Sequence, residues 1–264
     1  MEDSRRAFLK KVGLGSLVGL GVFKALDKMG VESAYASGSS SDGTLGKRLG
    51  LIVDAKKCED GCIDCIEKCH TIHNVPKFDT PKDEVKWIWT DSFENVFPSK
   101  SHPFVSKTTK SKPFIALCNH CENPPCVRVC PTKATFKRAQ DGLVLMDFHR
   151  CIGCRFCMAA CPYGARSFNW YNPRIEGTVK LVGGRDINPD FPTRERGVVE
   201  KCNLCAERLA KNQIPACVKV CKKDALVFGD LHNPNSKIRQ ILKSNHTIQR
   251  KSELGTGPSV FYIV

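Results

Sequence analysis

The chain has 264 residues, long enough to bury a real core and to hold one or two domains. Its 16 cysteines raise a disulfide framework and its formal charge of +14 raises nucleic acid as a partner. The cysteine spacing argues against the first, and the counter-charge those cysteines imply argues against the second.

Residues 1–36 read as an export signal. Ser4-Arg5-Arg6-Ala7-Phe8-Leu9-Lys10 follows the twin-arginine pattern, and the apolar stretch Val12–Leu26 carries Gly13, Gly15, Gly19 and Gly21. A membrane span needs ~20 apolar residues, so this stretch is too short and too glycine-rich to be one. Ala34-Tyr35-Ala36 is a small-x-small cleavage site, which predicts Ser37 as the mature start; an uncleaved anchor is the alternative. The twin-arginine route carries folded proteins, so thiols occupied beforehand would not meet the oxidising compartment free. The expected location is the periplasmic or extracytoplasmic face of the membrane. Residues 37–48 form a Ser/Gly-rich linker.

Leu49–Asp54 predicts a strand leading into Cys58, Cys62, Cys65 and Cys69, spaced C-x3-C-x2-C-x3-C, with His70 where a proline is usual. His70 and His73 read as solvated loop histidines, with metal ligation the less common reading. Residues 74–111 are a cysteine-free insertion. Val85–Thr90 predicts a strand there, Phe93–Lys112 reads as loop, and a partner-gripping role fits its length. Phe114–Leu117 is the next strand. It enters Cys118, Cys121, Cys126 and Cys130 with Pro131, and His120 between the ligands reads as a bystander.

Leu143–Asp147 predicts a strand feeding the central run Cys151-Ile-Gly-Cys154-Arg-Phe-Cys157-Met-Ala-Ala-Cys161-Pro162. This C-x2-C-x2-C-x3-C-P spacing holds cubane iron–sulfur clusters in two-cluster ferredoxins. Three cysteines grip one cubane, Gly153 takes φ > 0, and the fourth cysteine lies one helical turn on, facing a second cluster. Pro162 stops the helix. Ser167–Trp170 predicts a strand and 172–196 a polar connector. Cys202, Cys205, Cys217 and Cys221 follow, with a helical turn at Glu207–Lys211, Lys222 in the proline place and a strand at Ala225–Phe228. Residues 230–264 predict an extended surface tail ending in the strand Val260–Val264.

All sixteen cysteines thus fall into four groups of four. Zinc knuckles use paired C-x2-C and disulfides need no such run, so iron–sulfur ligation is the favoured reading over both. Four cubanes with thiolate ligands each bring a charge of about −2. Loss of 1–36 leaves +12, and the clusters then bring the total to roughly +4. Lys56, Lys57 and Arg155 are candidate counter-charges. The repeat of strand, cysteine loop, short helix and strand predicts an α+β fold of two ferredoxin-like halves related by internal repeat, with short strands and helices and long loops. The outer half takes 49–73 plus 197–229, the inner half 112–171.

The motif order resembles the four-cluster, ferredoxin-like iron–sulfur subunits of membrane-bound respiratory oxidoreductases, across about residues 50–230. Cys151–Trp170, Asn188–Leu209 (NPDFPTRERGVVEKCNLCAERL), Gly229–Asn235 and Glu253–Ile263 resemble the exported subgroup found in sulfite-reductase-associated, menaquinol-oxidising, heterodisulfide-reductase-like complexes. The resemblance implies crossed ligation of four [4Fe–4S] clusters. One takes Cys58, Cys62, Cys65 and Cys221, a second Cys202, Cys205, Cys217 and Cys69. A third takes Cys118, Cys121, Cys126 and Cys161, the fourth Cys151, Cys154, Cys157 and Cys130. It further implies one-electron relay in sulfur-linked anaerobic respiration. The implied partners are an integral membrane quinone-interacting subunit, a multihaem cytochrome c and heterodisulfide-reductase-like subunits. No substrate pocket signature, nucleotide loop or acid/base pair accompanies the cysteines. A molybdopterin catalytic partner is the rival reading, and a zinc- or disulfide-stapled exported binding protein the remote one.

Overall fold

The computed structural model describes residues 46–264. The export signal and most of the linker expected before Gly46 lie outside the described residues. Among the described residues, nine short strands and eight short helices follow in chain order. They are β1 (Leu49–Asp54), α1 (Asp64–Ile72), β2 (Ile88–Asp91), α2 (Phe93–Val96), α3 (Lys107–Ser111), β3 (Phe114–Leu117), α4 (Pro125–Arg128), β4 (Thr135–Lys137) and β5 (Val144–Met146). Then come α5 (Phe156–Ala160), β6 (Ser167–Phe168), β7 (Val199–Glu200), α6 (Ala206–Leu209), α7 (Ala216–Val220), β8 (Leu226–Asp230), α8 (Lys237–Ser244) and β9 (Val260–Ile263).

β1 is the centre of a three-stranded sheet ordered β8-β1-β9. Leu51, Ile52 and Val53 are all buried, so the strand reads as a continuous apolar run covered on both faces. It pairs antiparallel with β8, Leu49 opposite Asp230 through Val53 opposite Leu226. It pairs parallel with β9, Leu51 opposite Val260 through Asp54 opposite Ile263. The strand before the first cysteine group is thereby bonded to the strand after the last one. Three hairpin-like pairs complete the sheets: β2 with β3, β4 with β5 and β6 with β7, all antiparallel.

Two segments depart from the sequence expectation. The insertion at 74–111 contributes to the core through Val85, Trp87, Ile88, Phe93, Val96 and Phe97, which are buried, while residues 98–111 lie at the surface. Phe97 sets its ring centroid 5.0 Å from Tyr262 and 5.7 Å from Phe114, both edge-on. The stretch expected as loop forms two helical turns because Ser92 and Ser106 cap them, accepting from the backbone N–H groups of Asn95 and Thr109. The tail is likewise not an extended surface strand alone. Ser236 caps α8, whose Ile238 is fully buried beside β8, and β9 joins the central sheet. Arg250 donates from Nη2 to the carbonyl of Tyr163 at 3.2 Å. Backbone bonds from Glu122 to Gly257 (2.8 Å), Asn123 to Thr256 (2.9 Å) and Ser259 to Asn119 (2.8 Å) strap the tail across the second cysteine loop.

Candidate metal centres

Each cysteine group combines a loop with one helix. α1 carries Cys65 and Cys69 one turn apart, α4 carries Cys126 ahead of Cys130, α5 carries Cys157 ahead of Cys161, and α7 carries Cys217 ahead of Cys221. Left-handed residues turn the loops tightly: His120, Arg155, Leu204 and Cys205 all have φ between 43° and 64°. Gly153 has φ +70°, and a Cβ there would collide with the carbonyl oxygen of Gly197, so its lack of a side chain is doubly required. Turning the loops in this way aims backbone N–H groups at sulfur. Leu204 donates to Cys202 Sγ at 3.3 Å, Ala216 to Cys205 Sγ at 3.3 Å and Val199 to Cys151 Sγ at 3.5 Å. Such bonds favour the thiolate.

All sixteen cysteines are free thiols. Burial first, then Cys58, Cys221 and Cys62, push Cys65 up to about 12. Burial, Cys62 and Cys221 likewise raise Cys58. Cys69 does not face its own loop. Burial and then Cys202, Cys217 and Cys205 hold it well above the usual thiol range. Burial followed by Cys118 and Cys126 raises Cys161, while Cys121 is pushed up to about 12 by burial and Cys118, with Thr256 hydrogen-bonding against that rise. Cys157 sits in one apolar cluster with Cys126, Val144 and Val199, against which Cys151 packs. Cys130 differs: N–H groups of Thr135, Thr132 and Ala134 and the Thr132 hydroxyl outweigh burial and hold its thiol below the ordinary value.

Neighbouring groups also feel one another's charge. Cys217 is raised in part by Cys65, Cys202 by Cys118, and Cys157 by Cys126. Exposure varies along this series. Cys58 and Cys221 are half-buried and Cys62 is exposed, whereas Cys69, Cys202, Cys205, Cys217, Cys118, Cys121 and Cys126 are buried, and Cys130, Cys151 and Cys154 are again half-buried.

A family model for the 4Fe-4S dicluster domain matches residues 110–180 and 185–231. The chain is 40% identical over 239 residues to the Hdr-like menaquinol oxidoreductase iron-sulfur subunit 1 of Archaeoglobus fulgidus, covering 82% of this chain and 83% of that one. It is 38% identical to the arsenate respiratory reductase iron-sulfur subunit ArrB of a Shewanella strain (82% and 96% covered). It is 34% identical to the iron-sulfur cluster-binding subunit of menaquinone reductase from Nitratidesulfovibrio vulgaris (82% and 88%). The chain belongs to this family of respiratory iron–sulfur subunits. Its cofactors are four [4Fe–4S] clusters, and its work is electron transfer.

The donor set fits that cofactor. Cys58, Cys62, Cys65 and Cys221 line one cavity of 70 Å³, and Cys118, Cys121, Cys126 and Cys161 line another. Thiols crowded in this way resist ionising alone, and iron is what makes several buried thiolates tolerable side by side. The zinc and disulfide alternatives both lose to this geometry and to the family.

Several residues at the site were not visible in the sequence. His73, expected as a solvated loop residue, is buried at the end of α1. Its ring stacks 4.6 Å from Trp87, Nε2 meets Glu207 Oε1 at 2.9 Å and Nδ1 lies 3.5 Å from Cys69 Sγ. Burial opposes its charge, but Cys205 and Glu207 outweigh burial and hold the imidazole at about 9. His120 is also buried; its Nδ1 accepts from the Val144 N–H at 3.1 Å, and burial, then Lys201 and Arg166, push it well below the usual range. Arg166 and Lys201 are buried cations among the cysteines. No spacing rule signals any of these four, because each has at least one partner far away in sequence.

Proposed function

We propose that the sixteen cysteines hold the four clusters across motifs and in a line. Cys58, Cys62, Cys65 and Cys221 form the first set, Cys69, Cys202, Cys205 and Cys217 the second, Cys118, Cys121, Cys126 and Cys161 the third. Cys130, Cys151, Cys154 and Cys157 form the fourth. The observation that carries this is the packing of α1 against α7, with Cys202, Cys217 and Cys205 the thiols whose charge weighs most on Cys69 and Cys58 the one that weighs most on Cys65. The charge couplings of Cys65 with Cys217, Cys118 with Cys202, and Cys126 with Cys157 support that order of the sets. The first and second sets then belong to one ferredoxin-like half and the third and fourth to the other, in keeping with the pairing of β1 with β8.

A bound cubane supplies a one-electron redox centre. All cysteines of the inner two sets but Cys161 are buried, while Cys62 is exposed and Cys58, Cys221, Cys130, Cys151 and Cys154 at the ends are half-buried, which suits entry at one end and exit at the other. The ends differ in chemistry. Ile152 and Phe156 are exposed at the fourth set, with Phe136 and Val129 nearby, whereas Lys57, Lys222 and Lys223 surround the first. An apolar face suits lasting contact with a membrane subunit. Among the described residues no helix is long and apolar enough to cross a membrane. Quinones stay in the bilayer, so an integral membrane subunit would exchange electrons with them. A multihaem cytochrome c or heterodisulfide-reductase-like subunit would take the other end. Ser4–Lys10 supports twin-arginine export to the extracytoplasmic face, where such a complex would work in sulfur-linked respiration.

Cys69→Ser tests the ligand sets. EPR should show the cluster of Cys202, Cys205 and Cys217 damaged and that of Cys58, Cys62 and Cys65 largely intact. Damage confined to the Cys58 cluster would mean that each motif closes on itself.

A further inference from the structure

Arg166 immediately precedes β6, and only 5% of it is exposed. Its Nη2 donates to Thr135 Oγ1 at 2.7 Å and its Nη1 lies 3.8 Å from Met146 Sδ. Among the described residues no carboxylate lies within ion-pair distance of it. The Thr135 hydroxyl that receives it is itself engaged, donating to the Leu145 carbonyl at 2.9 Å, so the guanidinium is held from both sides of the β4–β5 pair. A buried guanidinium without a counter-ion is costly, and the fold would not keep one without an anion to face. The groups facing it are sulfurs. It lines the cavity of Cys118, Cys121, Cys126 and Cys161, and Met146, which it touches, packs against the buried cluster that holds Cys126 and Cys157; the charges of Cys126, Cys157 and Cys118 outweigh burial and strengthen its own. Cys126 and Cys118 belong to the third set and Cys157 to the fourth. Arg166 therefore lies beside ligands of one cluster and of the next.

Lys201 makes the contrast clear. It is equally buried, but it spends its ammonium on the backbone carbonyls of Val144 and Cys202 rather than on sulfur. Arg155, expected as a counter-charge, lies over the rings of Phe168 and Trp170 at 5.3 and 4.8 Å from their centroids. Arg166 is the one of the three that lines the cavity of a full ligand set.

We propose that Arg166 is a positioning residue that raises the reduction potentials of the third and fourth clusters together. Adding an electron makes a cluster more negative, and a fixed buried cation stabilises that state more than the oxidised one. Because it lies beside ligands of both sets, the two potentials move together, which leaves the step between them unchanged. The inference rests on the ligand sets proposed above.

The test is an EPR-monitored redox titration of the purified complex. Arg166→Gln should lower the midpoints of the third and fourth clusters by tenfold or more in the reduction equilibrium, about 59 mV per tenfold for a one-electron couple. The first and second clusters should not move. Arg166→Lys keeps the charge and should return at least half of the shift. Unmoved midpoints, a uniform shift of all four, or equal shifts in the Gln and Lys variants would overturn the proposal. If Arg166→Gln loads poorly, Thr135→Val loosens the guanidinium while every cysteine remains. A downward shift confined to the same two clusters then supports the proposal, and none overturns it. Iron content reports the ligand sets separately. Wild-type protein with well under ~16 iron per chain would overturn both readings, whereas a full count with unmoved midpoints would overturn only this one.

Discussion

Glu200 should be the most costly polar residue to remove. Its side chain and that of Arg194 have no exposed surface, and the two form an ion pair. The carboxylate also accepts from Trp87 Nε1 at 2.8 Å and from Asn169 Nδ2, joining the insertion, β6 and the connector. Removing one partner of a buried pair costs about 3–5 kcal/mol, because the other charge stays buried. Arg194 would still reach the carbonyls of His73, Asn74 and Pro192, which places Glu200→Ala near the low end, about 3 kcal/mol. That corresponds to roughly a hundredfold larger opened population. Glu200→Gln keeps an acceptor and should cost about 1.5–2 kcal/mol. β7 leads directly into Lys201 and Cys202, so opening there should release the cluster held by Cys202, Cys205 and Cys217 first. The assay is anaerobic bleaching of cluster absorbance at fixed urea, with EPR to identify the cluster lost. Glu200→Ala bleaching at the wild-type rate would show that the pair is replaceable by water and that the reasoning fails. The double variant Arg194→Met/Glu200→Gln should be less damaged than Glu200→Ala, since it leaves no lone charge.

Gly153→Ala forces a side chain into a left-handed residue against the Gly197 carbonyl, and should leave protein with roughly 12 rather than 16 iron per chain by chemical analysis; full iron would contradict the reading of this turn. Replacing Arg5 and Arg6 with Lys should hold a cluster-loaded precursor in the cytoplasm by fractionation and immunoblot, and normal export of that variant would rule out the twin-arginine route.

The parts of the fold that were legible in the sequence are those set by local chemistry. β1 and β3 start and end where the apolar runs Leu49–Asp54 and Phe114–Leu117 do, because a strand buried on both faces needs no partner to announce it. The helix after the central run stops at Ala160 ahead of Pro162. The four cysteine groups were legible because iron imposes the spacing. Long-range packing was not. The aromatic contacts of Phe93 and Phe97 depend on Phe114 and Tyr262, and α8 depends on a serine cap and one buried isoleucine. His73 looked like a loop residue because Trp87, and Cys205 with Glu207, reach it from two other segments.

The same distinction governs the charge. Lys56, Lys57 and Arg155 stand close to cysteines in sequence and were the obvious counter-charges. In the fold all three are exposed; Lys57 lies 3.8 Å from Asp54, and Arg155 rests on aromatic rings. Water and salt screen charges in such positions, so each does little to a cluster's potential. Arg166 and Lys201 are buried, and a charge in that environment acts at several-fold greater strength for the same distance. The formal charge of +14 therefore overstates what the surface contributes to electron transfer and understates what two interior cations do. A change of ionic strength should accordingly alter how fast the lysine-rimmed end meets a partner while leaving the potentials beside Arg166 in place.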